Sequence, residues 1–371
     1  MARDPDTLAE LWADLRQAID QVDDEILALL NRRAALAAEV AARKQAAGAG
    51  FYAPSRERAI IDRLQERNPG PFPTSALRPV FQEVISACLS LEKGVRVAYL
   101  GPEATFTHQA VRRQFGTSAL TLPCGSIAGV FSEVERGAAD YGVVPVENST
   151  EGVVNHTLDS FLDSPLTIRA EIQVPIAHCL LARAGATERD IERVYSHPQA
   201  LAQCRAWLQA NLPRATLVES ASTADAARAA LSDGHGGAIA AELAGRLYGL
   251  AVVREKVQDA ADNMTRFLVV GPPQDAPPPR AAGADYKTTV LLALSDRPGA
   301  LFHVLRPLSD ARINLTKIES RPSRRRAWDY VFFLDLDGHQ ADDDIAAVLG
   351  SLAEACQMFK VLGSYRKADA T

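Results

Sequence analysis

The sequence predicts a multi-domain protein: an all-α unit, then a two-lobed α/β unit, then a ferredoxin-like α+β unit. Three observations support this order. Helical spacing continues without proline or glycine from residue 6 to Gly48, strands and helices alternate after Gly94, and a proline-rich linker over 271–279 precedes a compact last segment. Since 371 residues exceed what one hydrophobic core usually holds, two or three domains are expected.

Residues 6–93 are predicted to form the all-α unit. Apolar side chains recur there mostly at intervals of three and four, at Leu8, Leu11, Leu15, Ile19, Val22, Ile26, Leu29, Leu36 and Val40. A helix this long needs a partner along its length. Shorter helices are predicted from 55 to about 67 and from 74 to 93. Because three helices give a thin core, we expect the unit to intertwine with a second copy, in a homodimer or homotetramer.

Residues 95–271 are predicted to form the α/β unit, with two lobes around a cleft. Strand candidates lie at 95–100, 141–146, 166–174, 178–182, 193–195, 238–240 and 267–270. Their alternation with helical segments is typical of α/β domains. Ligands commonly bind in a cleft of this kind.

Residues 285–366 are predicted to form the last unit. Strands are expected at 288–294, 313–319, 328–336 and 358–362, and helices at 300–311 and 342–355. The resulting order, β-α-β-β-α-β, is ferredoxin-like.

The composition argues against several classes of protein. A net charge of −6 argues against nucleic-acid binding, and no apolar run reaches the roughly 18 residues of a membrane span. The N-terminal residues lack the apolar core of a signal peptide and five scattered cysteines indicate reduced thiols, so a cytoplasmic location is expected. Seven histidines without ligand spacing predict no metal site, and no cofactor is expected.

The basic residues of the first helix follow its geometry. Arg33 and Lys44 are eleven residues apart, so they share one face about 16 Å apart. Arg16 lies about 25 Å before Arg33 and is rotated by about 100°, so it could serve only the pocket of an antiparallel partner. On the third helix, Cys88 and Glu92 share a face. From periodicity alone, solvated charges on a long helix remain the alternative.

This unit resembles the all-helical type of chorismate mutase. The resemblance is carried by residues 15–20, 31–33, 44, 56–58 and 85–92. It implies rearrangement of chorismate to prephenate without a covalent intermediate, which requires a compact dicarboxylate conformer and stabilisation of the ether oxygen. Arg33 and the partner copy's Arg16 would hold the carboxylates, Lys44 would donate to the ether oxygen, Glu57 would hold the ring hydroxyl, and Arg56 would support the site.

Three positions depart from the better-known bacterial pattern of that family. Glu92 stands where a glutamine often donates to the ether oxygen, and an ionised carboxylate cannot donate. Glu92 would therefore have to stay protonated, which predicts mutase activity that falls as pH rises. Cys88 replaces a hydroxyl residue, and Ala53 replaces a residue that is sometimes acidic.

Polar clusters in the α/β unit sit at the ends of predicted strands, where α/β sites are built. They lie at 101–108, 144–152, 196–204, 219–224 and 262–267. Singly, each is equally explained by turn or capping chemistry, for example Ser220 and Thr223 before an alanine-rich helix, or His197 before Pro198.

Together, and in this order, the clusters resemble prephenate dehydratase. The resemblance implies a periplasmic-binding-protein-like pair of lobes and loss of carbon dioxide and the ring hydroxyl from prephenate, giving phenylpyruvate. Thr265 would be essential, donating to the leaving oxygen, and Arg266 would offer a fork to a carboxylate unless it is structural. Glu147 could act as an acid only if its pKa is raised. The substrate-positioning residues it implies are Asn148, Ser196, Gln203, Ser222 and Thr223.

The last unit resembles an ACT domain, through a Gly-Ala-Leu motif and a Glu-Ser-Arg-Pro motif. Such domains pair side by side and bind an amino acid between them, which implies phenylalanine as allosteric effector. The effector-binding residues it implies are Gly299, Ala300, Leu301, Asn314, Glu319 and Ser320. Gly299 is also explained by a plain turn, and Glu319 by the end of a strand.

The three resemblances together predict a bifunctional chorismate mutase–prephenate dehydratase with small-molecule substrates. Two other interpretations remain open: a non-catalytic amino-acid sensor, and an enzyme whose dehydratase is active while its mutase is vestigial. Loss of chorismate, measured separately from formation of phenylpyruvate, would separate them.

Overall fold

The computed structural model describes residues 5–46, 54–91, 94–273, 284–295, 297–323 and 330–368. The predicted order of an all-α unit, a two-lobed α/β unit and a ferredoxin-like unit is confirmed.

The described residues of the all-α unit form three helices: α1 (Pro5–Ala46), α2 (Pro54–Glu66) and α3 (Thr74–Ser90). Pro79 lies in the second turn of α3, although the sequence favoured proline only in the first turn. Residues 12–32 of α1 have little cover within the chain. Its apolar stripe (Leu15, Ile19, Val22, Ile26 and Leu29) is exposed, with Leu29 reaching 63 %.

The chain then builds two sheets with their covering helices. The first lobe contains β1 (Arg96–Leu100), α4 (Phe106–Phe115), β2 (Leu120–Cys124), α5 (Ile127–Glu135), β3 (Tyr141–Asn148), β4 (Gly152–Val153), α6 (Asn155–Asp163) and β5 (Thr167–Pro175). The second lobe contains β6 (Cys179–Ala182), β7 (Arg193–Ser196), α7 (Pro198–Gln203), α8 (Arg205–Asn211), β8 (Thr216–Glu219), α9 (Thr223–Ser232), β9 (Gly236–Ala240), α10 (Glu242–Tyr248) and β10 (Ala251–Arg254). The chain returns to the first lobe as β11 (Met264–Gly271).

The sheet orders place β11 at the centre of the first lobe. They are β2-β1-β3-β11-β5, with β4 on β3, and β10-β6-β9-β7-β8. The chain crosses between lobes twice, after β5 and before β11. The crossings are tied together where Val257 N donates to His178 O at 2.9 Å and Ile176 N donates to Asn263 O at 2.8 Å. These paired crossings form the floor of the cleft.

In the ferredoxin-like unit, the residues that the structure describes form six elements: β12 (Tyr286–Ala293), α11 (Ala300–Asp310), β13 (Leu315–Pro322), β14 (Tyr330–Asp337), α12 (Asp343–Ala355) and β15 (Met358–Arg366). The sheet order is β13-β14-β12-β15, all antiparallel. Val290 and Leu292 of β12 face the helices, whereas Leu291 joins the core of the first lobe. Both faces of β12 are therefore covered.

The ferredoxin-like unit and the first lobe share one hydrophobic core. Leu291, Phe333 and Leu362 belong to the same buried cluster as Phe161 and Val270 of the first lobe. The backbones also approach closely, because a Cβ on Gly363 would lie 2.4 Å from the carbonyl oxygen of Ile168. The two units pack as one body.

The all-α unit docks on the first lobe through α3 and on the C-terminal strand through α2. Glu83 accepts from Thr117 N at 3.1 Å, and Ser86 Oγ accepts from Ser118 N at 3.2 Å. On the other side, Arg366 pairs with Asp62 at 2.5 Å. The all-α unit thus touches both other units through α2 and α3.

Candidate active sites

Thr265 lies at the start of β11, opposite Asn148 of β3 and only 7 % exposed. The Asn148 side-chain amide donates to Thr265 Oγ1 and to Asn263 Oδ1, both at 2.8 Å. Asn148 Oδ1 accepts from the backbone N–H groups of Thr150 and Glu151 at 3.0 Å. These four contacts fix the amide, so the oxygen of Thr265 already accepts one hydrogen bond.

Gln203, at the end of α7 in the second lobe, contacts the residues around Asn148 and Thr265. Its Nε2 donates to Glu151 Oε1 at 3.3 Å, and its Oε1 accepts from Asn263 Nδ2 at 3.4 Å. His178 Nε2 lies 2.9 Å from the same Oε1. The structure therefore brings together the predicted residues Asn148, Gln203 and Thr265.

Three members of this cluster were not predicted as site residues: Glu151, His178 and Asn263. Glu151 and Asn263 lie inside the polar clusters 144–152 and 262–267, whose predicted site residues are their neighbours. The sequence predicts His178 as the start of a strand. Its partner Gln203 is 25 residues away, and no local pattern connects them.

The hydroxyls of Ser196 and Ser222 have local partners. Ser196 is fully buried and donates to Ile239 O at 2.6 Å, which departs from its predicted contact with substrate. Ser222 caps α9, accepting from Asp225 N at 3.0 Å and donating to Asp225 Oδ2 at 2.7 Å. The residue that caps α9 is therefore Ser222, and not Ser220 or Thr223, for which the sequence left capping open. Thr223 begins α9 beside it.

Arg266 and Glu147 face away from Thr265, which corrects their predicted contact with substrate. Successive side chains of a strand point to opposite faces, so Thr265 faces the cleft and Arg266 the ferredoxin-like unit. Arg266 contacts Glu147 at 2.8 Å, Glu171 at 2.9 Å and Asp335 at 3.0 Å. The predicted carboxylate fork exists, but its carboxylates belong to the protein.

Two lysines complete this interdomain ion network. Lys317 contacts Glu147 and Lys287 contacts Glu171, both at 2.9 Å. Burial alone would raise the pKa of the Glu147 carboxyl, but the hydrogen bond from Lys317 and the charges of Lys317 and Arg266 lower it overall. The pKa of Glu171 is lowered in the same way by Arg266 and Lys287 against its burial. Glu147 is therefore ionised at neutral pH and is not the acid considered from the sequence.

In the all-α unit, Arg33 and Cys88 meet across α1 and α3. Arg33 Nη1 donates to Cys88 Sγ at 3.0 Å. Arg16 and Arg56 are exposed, and Glu57 is half-buried. Glu92, Ala53 and the side chain of Lys44 lie outside the described residues.

The six predicted effector residues do not converge within one chain. Gly299, in the left-handed conformation (φ 79°), precedes α11 with Ala300 and Leu301 in its first turn. That loop follows the Ala293 end of β12. Asn314 donates to Asp337 Oδ2 at 3.1 Å at the opposite end of the sheet, about 20 Å away along the strands. Glu319 and Ser320 pair with Phe333 and Phe332 of β14.

Within the described ranges, no group of three or more histidine, cysteine, aspartate or glutamate side chains could hold a metal ion. The helices of the same ranges include none that is long and apolar enough to cross a membrane.

Three family models match consecutive parts of the chain: chorismate mutase type II over 15–93, prephenate dehydratase over 97–275 and the ACT domain over 288–354. A bifunctional chorismate mutase/prephenate dehydratase of Aquifex aeolicus is 50 % identical over 359 residues, covering 96 % of this chain and 98 % of the relative. The chain belongs to the bifunctional chorismate mutase/prephenate dehydratase family. It therefore has one enzymatic unit of each kind and an ACT domain.

Solved structures resemble the last two units of this family member. A prephenate dehydratase of Arthrobacter aurescens in complex with L-Phe is 39 % identical, with a TM-score of 0.67, covering 74 % of this chain and 90 % of that one. A quorum-quenching acylase is 30 % identical, with the same TM-score, covering 73 % and 97 %. The predicted family and ACT domain are thus confirmed, while the roles of individual residues rest on geometry.

Proposed function

We propose that this chain rearranges chorismate to prephenate in its all-α unit and converts prephenate to phenylpyruvate in the cleft. The observation that carries the second step is the hydrogen bond from Asn148 to Thr265 Oγ1. Because that oxygen accepts from the amide, the Thr265 hydroxyl can direct its own hydrogen towards a substrate.

The conversion of prephenate to phenylpyruvate requires no covalent bond between the protein and the substrate. The bond between the ring and its carboxylate breaks, carbon dioxide leaves, and the electron pair joins the ring as the hydroxyl departs. That hydroxyl takes one proton and leaves as water, so one proton is consumed. Thr265 donates a hydrogen bond to the departing oxygen, stabilising charge where it develops. Aromatisation supplies the driving force.

Substrate carboxylates are held at the second lobe. Helix α9 follows β8, the parallel neighbour of β7, so its N-terminus lies at the edge of the sheet where these strands end. Free N–H groups at a helix N-terminus attract anions. Ser222 and Thr223 open α9 at this edge, and Gln203 and Asn148 orient the substrate from the network.

Thr265→Ala tests the assignment of the cleft. We expect phenylpyruvate formation to fall at least a hundredfold while chorismate consumption is unchanged. Thr265→Ser, which keeps the hydroxyl, should retain more activity and is the matched control. Equal loss of both activities in Thr265→Ala would contradict two separate sites.

The mutase reaction needs a second copy of the chain. We propose that Arg33, Lys44, Arg56, Glu57 and Glu92 act with Cys88 in one pocket, completed by Arg16 of the partner copy. The exposed stripe on α1 supports this, because a second α1 would cover it. We therefore expect the chain to form a homodimer, or a homotetramer if the ACT domains also pair.

A mixing experiment tests the shared pocket. Arg16→Ala and Arg33→Ala chains should each lose mutase activity. When the two are unfolded together and refolded, half of the dimers are mixed and each mixed dimer has one intact pocket. We therefore expect about a quarter of wild-type activity to return. Recovery of nothing, with dimers present, would contradict a pocket made from two chains.

Phenylalanine is proposed as the allosteric effector of the ACT domain. Since Gly299 and Asn314 lie at opposite ends of one sheet, a single ligand touching both must lie between two chains. Millimolar phenylalanine should change dehydratase activity or assembly, measured by kinetics and light scattering. No change in either would refute the proposal. A cytoplasmic location is also proposed, supported by the five unpaired cysteines.

A further inference from the structure

His178 is buried at the junction of the two lobes, 2 % exposed, in the crossing between β5 and β6. Its backbone N donates to Gln258 Oε1 at 3.0 Å, and its carbonyl oxygen accepts from Val257 N. The ring of Phe106 meets the imidazole edge-on, with centroids 5.3 Å apart. Both crossings and the first lobe therefore hold this side chain in place.

The partners of Gln203 determine which atom of its amide faces His178. Gln203 places one amide atom within reach of His178 Nε2 and Asn263 Nδ2, and the other within reach of the Glu151 carboxylate. A carboxylate only accepts, so Nε2 of Gln203 faces Glu151 and Oε1 faces the other two. His178 must then donate through Nε2–H.

The second nitrogen of His178 agrees with this tautomer. Nδ1 is buried without a hydrogen-bond partner in the part of the chain that the structure describes. A buried lone pair without a partner costs less than a buried N–H without one. Burial also lowers the pKa of the imidazole, with a smaller opposite effect from Gln203, so the ring is neutral at physiological pH.

The hydrogen bonds continue from His178 to Thr265 in one consistent direction. His178 and Asn263 donate to Gln203 Oε1, which leaves Asn263 Oδ1 to accept from Asn148. Asn148 uses its other amide hydrogen for Thr265 Oγ1. If the amide of Gln203 were flipped, its NH₂ group would face the NH₂ group of Asn263, and two donors would meet. The hydrogen bonds from Asn148 to Asn263 and to Thr265 would then be disturbed.

We propose that His178 is a positioning residue for the dehydratase reaction, orienting the Thr265 hydroxyl as a donor through Gln203, Asn263 and Asn148. It acts from the interlobe crossing, so the relay joins Gln203 of the second lobe to Thr265 of the first. Closing or opening of the cleft would change this relay. This role rests on the proposed dehydratase activity.

A pair of substitutions at position 178 tests the donor. His178→Gln keeps an N–H the same number of bonds from Cβ as Nε2, whereas His178→Met fills similar space without a donor. We expect His178→Met to lower kcat for phenylpyruvate formation by about tenfold to a hundredfold, with a much smaller change in KM. His178→Gln should recover most of that loss, and chorismate consumption should be unaffected in both.

A double-mutant cycle with Gln203→Leu tests the route. If His178 acts through Gln203, His178→Met should cost little further kcat once Gln203 is replaced. His339→Gln, a buried histidine of the ACT domain, controls for loss of packing and should lower Tm without lowering kcat.

The outcomes separate this inference from the proposed function. Unchanged kcat in His178→Met, an equal loss in His178→Gln, or additive losses in the cycle would each overturn the positioning role. A wild-type chain that forms no phenylpyruvate from prephenate would instead overturn the dehydratase assignment itself.

Discussion

Replacing Arg266 with glutamine removes the central cation of the interdomain ion network. Wild-type charges balance, because three cations (Arg266, Lys287 and Lys317) face three carboxylates (Glu147, Glu171 and Asp335). The variant leaves one negative charge in excess. The side chains of Glu171 and Asp335 are only 1 % and 6 % exposed, so water cannot compensate for the lost cation.

The cost follows from burial. Removing one partner of a buried ion pair costs about 3–5 kcal/mol, which corresponds to a fall in Tm of roughly 6–20 °C for a unit of this size. The cost also depends on pH. In the wild type the pKa values of Glu147 and Glu171 are lowered, so their stabilisation is present above the unfolded pKa and lost as pH falls through the folded value. Without Arg266 these carboxyls protonate more readily. The difference in unfolding free energy between the variant and the wild type therefore becomes smaller as the pH falls.

Thermal unfolding followed by circular dichroism, at about pH 7.5 and about pH 5, measures both effects. Arg96→Gln is the matched control, because Arg96 pairs with one carboxylate, Asp140, and is 36 % exposed. Its loss should stay below about 1 kcal/mol. Arg266→Gln losing no more Tm than Arg96→Gln at neutral pH would refute a stabilising network.

Three further predictions concern other parts of the molecule. Mutase activity should fall as pH rises from about 5 to 8, and Glu92→Gln should flatten that profile in a chorismate assay. Gly363→Ala should lower the unfolding free energy by about 1–3 kcal/mol in urea, since its Cβ would meet the carbonyl oxygen of Ile168 at a positive φ of 154°. Gly350→Ala, with open space on α12, is the control and should not destabilise. Ile19→Lys should shift the chain towards monomers in light scattering and lower mutase activity, with the dehydratase less affected.

The long elements followed from sequence periodicity because their own residues specify them. Helix α1 and the buried strands β3 and β5 carry strong apolar patterns. Strands β2, β8 and β10 were missed. Each is short and lies at a sheet edge with exposed residues, so its pattern is weak.

The candidate site was only partly predictable for a different reason. Because side chains alternate along β11, Thr265 and Arg266 must face opposite sides of the sheet. Alternation does not determine which of the two sides faces the cleft. That depended on how the ACT sheet packs against the first lobe, through contacts such as Arg266 with Asp335. Likewise, the meeting of His178 with Gln203 depends on two chain crossings and on no local motif.

The core that the dehydratase lobe shares with the ACT domain limits how this chain can be shortened. Cutting within 274–283 would follow the modules of the sequence, yet it would uncover Phe161 and Val270 where Leu291 and Phe333 now pack. The cut would also remove Lys287, the ion-pair partner of the buried Glu171. A deregulated enzyme is therefore better sought by altering the proposed effector-binding loop at Gly299 than by truncation, which we expect to give aggregating protein.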